Sequence, residues 1–138
     1  MSELLKLFVY GTLKPGESNY EAYCAGQAVE VQEAIAYGEL FDLPFDYPAM
    51  TAGDRPVYGY ILSFSNAAIL DDLDELEGYS SEPSLTPNEY EREEIEVFSL
   101  DGRSLGSAWV YLMSVEQAIE IGGILLADGR WTGKTLGN

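Results

Sequence analysis

The chain has no histidine, one cysteine and only seven basic residues against 24 acids, for a formal net charge of −17. Each shortage closes a class of function. Without histidine, neither a Ser-His-Asp nor a Cys-His nucleophile can be assembled, and the usual zinc and iron sites lose their commonest ligand. The lone Cys24 cannot close an internal disulfide and has no histidine to activate it, so it reads as a small buried residue. The acidic excess repels phosphate backbones at long range, which argues against a nucleic-acid partner; Arg103, Arg130 and Lys134 are scattered among acids. Long apolar runs are missing too. Leu4 to Val9 is interrupted by Lys6 and is too short for a signal segment or a membrane span, so no membrane association and a cytoplasmic location are expected. Carboxylates alone can hold calcium or magnesium, but there is no Asp-x-Asp-x-Asp-Gly loop, and no metal is expected.

What is present describes a packed protein. Of 138 residues, 46% are hydrophobic, with ten tyrosines and two tryptophans, enough for one core and one domain spanning residues 1–138. Leu4 to Tyr10 reads as a buried strand. Glu17 to Ala25 reads as a loop or short helix, and Ala28 to Leu43 as a long strand with a bulge or bend at Gly38. Phe45 to Pro56 reads as a turn-rich loop, Val57 to Phe64 as a strand, and Ser65 or Asn66 as the cap of a helix that ends at Glu77-Gly78. Ser80 to Pro87 is loop. Tyr90 to Leu100 and Leu105 to Leu112 alternate like strands joined by an Asp101-Gly102 hairpin turn. Ser114-Val115-Glu116-Gln117 is a capping-box pattern for a last short helix, stopped by Gly122-Gly123. The sum is an α+β domain around a strongly twisted, mainly antiparallel sheet.

Two segments carry chemistry. In Phe8-Val9-Tyr10-Gly11-Thr12-Leu13-Lys14-Pro15-Gly16 an apolar strand breaks into a glycine-bearing turn, which can expose successive backbone N–H groups to a carboxylate or an oxyanion. Gly11 permits close approach of the main chain and tolerates positive φ. The plainer reading is that Gly11-Thr12 simply ends a strand. In the helix before Gly78, Ile69, Leu70, Leu73 and Leu76 form an apolar stripe, with Asp71, Asp72, Asp74 and Glu75 on the other side. Glu77 falls on the stripe, four residues after Leu73 and seven after Leu70. Either this acid points inward, or the helix has ended and Glu77 is exposed; the pattern weighs the two equally.

The ordered set Tyr10-Gly11-Thr12-Leu13, Pro15-Gly16 and Asn19, Gly38 to Leu43, Tyr47-Pro48-Ala49-Met50, Val57-Tyr58-Gly59-Tyr60, Leu73 to Gly78, Tyr90-Glu91-Arg92 and Ala108-Trp109-Val110-Tyr111 resembles the gamma-glutamylcyclotransferase-like family, with its AIG2-like and gamma-glutamylamine branches. Many members have a histidine after the loop asparagine; here Tyr20 follows Asn19. The resemblance implies a small mixed, mainly antiparallel, strongly twisted β-barrel flanked by helices. It also implies a cofactor-independent enzyme that cyclises a small γ-glutamyl substrate to 5-oxoproline. Glu77 would be the general acid/base, and Tyr10, Gly11, Thr12 and Leu13 would bind substrate through main-chain donors. Tyr111 is placed at the pocket by the resemblance, against an equal reading as a core tyrosine; Trp109 and Tyr111 share a face by alternation. Tyr90 and Arg92 are read as structural, with Arg92 pairing an acid. A monomer or weak dimer is expected. The competing expectation is a non-catalytic small-molecule-binding or regulatory module that uses the same pocket.

Overall fold

A computed structural model describes residues 5–11, 28–44, 48–65, 69 and 90–131. The strands are β1 (Leu5–Val9), β2 (Ala28–Asp42), β3 (Pro48–Phe64), β4 (Glu91–Phe98) and β5 (Ser104–Leu112); then come helix α1 (Val115–Ile121) and the two-residue β6 (Ile124–Leu125). The sheet order is β3-β1-β5-β4-β2-β6, and β3 also pairs with β2, so five strands close on themselves. All pairings are antiparallel except β1 with β5, where Leu7 lies opposite Trp109. Closure between β4 and β2 rests on one register pair, Ile35 with Phe98. The result is a twisted ring of sheet rather than a regular barrel, and the expected α+β class with a mixed, mainly antiparallel sheet holds.

Side-chain alternation divides the core in two. Phe8, Ala34, Ala36, Leu40, Met50, Val57, Ile61, Val97, Ala108 and Val110, drawn from all five strands, fill the interior. Their neighbours Leu7, Val9, Phe41, Leu62, Phe64, Trp109 and Tyr111 form the outer cluster, together with Ile69, which is helical and buried, and Ala118 of α1. With both faces covered, β1 has to be apolar throughout its second half, which is why its sequence is a run and not an alternation. Complete burial of Phe8 or Leu62 contributes about 1.5–3 kcal/mol each. An exposed pair such as Arg55 with Glu39, 3.7 Å apart, contributes roughly 0–1 kcal/mol. Packing therefore holds the ring.

The β2–β3 hairpin departs from the sequence reading. Phe45 to Pro56 was expected to be loop, yet residues 48–56 belong to β3. The register explains the mismatch: Gly38 lies opposite Arg55 and Glu39 opposite Thr51, so Ala52, Gly53 and Asp54 have no partners across the ladder. A bulge of three residues keeps loop-like residues inside a continuous strand and bends it, while Pro48 occupies the first strand position, where a missing N–H is tolerated. The bend at Gly38 is where the sequence put it.

The last helix forms as its caps dictate. Ser114 Oγ accepts from the Gln117 N–H at 3.2 Å, and Gly122 ends the helix with φ 105°, a left-handed conformation that favours glycine. Beyond it, β6 pairs with Phe41 and Asp42, and the Tyr58 N–H donates to the Gly129 carbonyl at 2.8 Å. Trp131 enters the interior cluster, 5% exposed, with its Nε1–H donated to Asp42 Oδ1 at 3.1 Å. β6 and this closing tryptophan were not anticipated.

Candidate functional site

Because β1 and β5 run parallel, their C-terminal ends arrive side by side, and the antiparallel β4 starts at the same end with Glu91 opposite Leu112. The bent β3 brings its own first residues there as well. Four strand termini therefore meet around Tyr10 and Gly11.

Side-chain hydroxyls and main-chain carbonyls tie them. Tyr10 donates its hydroxyl to the Tyr111 carbonyl at 2.5 Å, joining the ends of β1 and β5. Tyr90 donates to the Pro48 carbonyl at 2.7 Å, joining the start of β4 to the start of β3. The Met113 N–H donates to the Met50 carbonyl at 2.9 Å. Tyr10, Tyr90 and Tyr111 are all buried. A buried hydroxyl left without a partner costs about 1–3 kcal/mol, so this geometry is firmly set.

Gly11 is buried at the exit of β1. Its backbone is not among the positive-φ glycines. The reason for glycine here is volume: a Cβ would lie 2.7 Å from both Cγ and Cδ of Pro48. The expected advantage of φ tolerance is thus not the one used, and the missing side chain serves close packing against the proline ring.

Tyr10, Gly11 and Tyr111 are brought to one end of the ring, as the sequence reading grouped them. Tyr10 contributes a side chain to the interior cluster, where only main-chain donors had been expected of it. Tyr111 packs its ring in the outer cluster near Tyr90 and Met113, on the same side as Trp109, and offers its carbonyl to Tyr10. Arg92 lays its guanidinium over the Trp109 ring at 5.1 Å. Thr12, Leu13 and Glu77 lie outside the described residues. The hydroxyl of Tyr90 and the ring of Pro48 are parts of this end that the sequence reading did not assign. A tyrosine opening a strand of exposed glutamates was the available signal, since a buried polar ring needs a partner for its hydroxyl.

Away from this end, Asp101 in the β4–β5 turn accepts from the Ser99 hydroxyl and from Arg103 Nε, and its carboxyl is held below the ordinary value, first by the Ser99 hydrogen bond. Among the described residues, no helix is long and apolar enough to cross a membrane.

Comparison with known proteins places these features in a family. Residues 7–133 match the family model described as gamma-glutamyl cyclotransferase, AIG2-like. A Niallia circulans protein named gamma-L-glutamyl-butirosin B gamma-glutamyl cyclotransferase is 35% identical over 105 residues, covering 76% of this chain and 65% of that protein. The chain thus spans slightly less than two thirds of that relative. A Vibrio cholerae protein provisionally named a gamma-glutamylcyclotransferase is 32% identical over 127 residues, 91% of this chain and 93% of its own length. The crystal structure of a mouse AIG2-like protein superposes with a TM-score of 0.71 at 20% identity, covering 99% of both chains, which shows a common fold.

Proposed function

Because the chain belongs to the gamma-glutamyl cyclotransferase, AIG2-like family, we propose that it cyclises a γ-glutamyl amine or amino acid to 5-oxoproline, with Glu77 as general acid/base. In this reaction the α-ammonium gives up one proton, the freed α-nitrogen attacks its own γ-carbonyl carbon, and the bond from that carbon to the leaving nitrogen breaks. The departing amine takes up this proton and a second one lost from the α-nitrogen, leaving as an ammonium beside the lactam N–H. No protein nucleophile is required. The enzyme has to hold the folded conformer, and well-oriented intramolecular reactions reach effective molarities of about 10⁵–10⁸ M.

Glu77 takes a proton from the α-nitrogen and passes it to the leaving nitrogen, a role that typically contributes roughly 10²–10⁴-fold. The main-chain donors of Tyr10, Gly11, Thr12 and Leu13 hold the substrate carboxylate or the developing oxyanion, where loss of one donor costs about 3–4 kcal/mol. Tyr111 lies at the same end of the ring, its carbonyl accepting from the Tyr10 hydroxyl. The observation that carries the reading is the continuous family match over residues 7–133, which includes both the Tyr10 turn and Glu77. The convergence of four strand ends on Gly11 supports it, because donors act without reorganisation only when their backbone is fixed. The chain needs no cofactor for this chemistry, and a cytoplasmic monomer or weak dimer acting on a small γ-glutamyl compound completes the proposal.

The test is product release followed by mass spectrometry over a γ-glutamyl library, with Glu77→Gln in parallel. Wild type releases 5-oxoproline and an amine; Glu77→Gln keeps the fold and releases them about 10²–10⁴-fold more slowly. Equal turnover by the two proteins would remove Glu77 from the mechanism. Thermal stabilisation by the library compounds without any product would instead assign a binding module.

A further inference from the structure

The volume that a side chain at Gly11 would need is taken by the ring of Pro48, with Cγ and Cδ both 2.7 Å from the position of a Cβ. Carbon atoms do not approach so closely, since optimal contact is at about 3.5–4.0 Å. The ring cannot step aside. Its carbonyl is held by the Tyr90 hydroxyl at 2.7 Å, its register is fixed opposite Asp42, and two residues later the Met50 carbonyl accepts from the Met113 N–H at 2.9 Å. β3 thus presses a rigid five-membered ring against Gly11, the second residue beyond β1.

We propose that Pro48 is a positioning residue for the main chain at Tyr10 and Gly11. Pinned through its carbonyl by Tyr90, it sets the course of the backbone at Gly11 and with it the direction of the amide donor there. The proposal rests on the proposed role of these main-chain donors in holding the substrate. It gives Gly11 a different purpose from close approach to a ligand, and the two purposes separate cleanly. The φ of Gly11 lies outside the left-handed region, so alanine is barred there by the neighbouring ring and not by its own backbone. Pro48→Ala deletes the two offending carbons and keeps Cβ.

The experiment is a double-mutant cycle on Gly11→Ala and Pro48→Ala, with Tyr90→Phe beside it, reading melting temperature and kcat/KM. The substrate is whichever of γ-glutamyl-alanine, ε-(γ-glutamyl)-lysine and γ-glutamyl-putrescine the wild type converts fastest. Gly11→Ala lowers kcat/KM by about 10²-fold, the loss expected of a displacement near 1 Å. The double variant regains about tenfold of this and recovers melting temperature, because residues in contact couple. Tyr90→Phe lowers kcat about tenfold with the fold retained, since the ring loses its anchor. Recovery of melting temperature without recovery of turnover overturns the proposal, for it would mean that a bound ligand, and not Pro48, forbids a side chain at Gly11. Failure to recover either quantity overturns it too. Should wild type convert none of the three probes, the cyclotransferase reading is what fails. The amide resonance of Gly11 in ligand-free ¹⁵N-labelled protein then decides the positioning: both Pro48→Ala and Tyr90→Phe displace it, and an unmoved resonance in both rejects the role.

Discussion

At the Leu112 end of the β4–β5 pair, strand termini are joined by tyrosine hydroxyls donated to main-chain carbonyls out of contact with water, Tyr10 to Tyr111 and Tyr90 to Pro48. At the opposite end, the turn from Ser99 to Arg103 is held by short-range contacts in solvent: Ser99 and Arg103 to Asp101, and the Arg103 N–H to Ser99 Oγ at 3.1 Å. Both ends are polar, but only one has paid for desolvation, and only there does losing a partner carry a large cost. The turn at Asp101 needs a local shape. The end at Tyr10 needs four distant segments, some a hundred residues apart in sequence, to hold one mutual geometry.

The contrast is broken most severely by Glu77→Gln, expected to lower kcat by about 10²–10⁴-fold without changing the melting temperature, whereas substitutions in the Ser99 to Arg103 turn leave turnover unchanged. Steady-state kinetics with calorimetry on both sets checks it. Tyr10→Phe comes next. Removing a buried donor from the Tyr111 carbonyl should lower stability by about 1–3 kcal/mol in urea unfolding, and a cost near zero would erase the distinction between the two ends. Ser114→Ala, just past β5 but exposed, should cost about 1 kcal/mol through loss of the helix cap, an intermediate value for an intermediate position. The smallest effect belongs to Asp101. Its folded-state pKa lies below the ordinary 3.8, chiefly through Ser99. Its contribution to stability is whole above the unfolded value and is lost as pH falls through the folded one. An NMR titration should show that value rising in Ser99→Ala, with no resolvable change in melting temperature at neutral pH.

The parts that were legible in the sequence are those governed by neighbours along the chain. The capping residues of α1, the Asp101-Gly102 turn, the apolar β1 and the bend at Gly38 all follow from local periodicity and turn chemistry. Residues 48–56 were misread because a three-residue bulge and a leading proline mimic a loop, and only the register against β2 reveals the strand. Ring closure at Ile35 and Phe98 leaves no trace in either segment alone; it was reached through family resemblance. For the site, Tyr10, Gly11 and Tyr111 lie at one end of the ring, but glycine at position 11 was attributed to close approach of a ligand and tolerance of positive φ, whereas a Cβ there would meet the Pro48 ring, a partner 37 positions away in the sequence. The hydroxyl of Tyr90 and the indole of Trp131 serve distant strands, which no periodicity encodes. Glu77, Thr12 and Leu13 lie outside the described residues.

Two junctions of the ring rest on one register pair each, Leu7 with Trp109 and Ile35 with Phe98; the first is backed by the Tyr10 hydroxyl on the Tyr111 carbonyl, which leaves the second as the clasp of a bracelet. Unfolding that begins by parting β2 from β4 is expected to let solvent reach Ala34, Ala36 and Val97 while the Tyr10–Tyr111 tie on the other arc stays fastened. Amide exchange at Ile35 and Phe98 should accordingly outpace that at Leu7 and Leu62, and a disulfide bridging the clasp would slow unfolding without touching the arc that holds the turn.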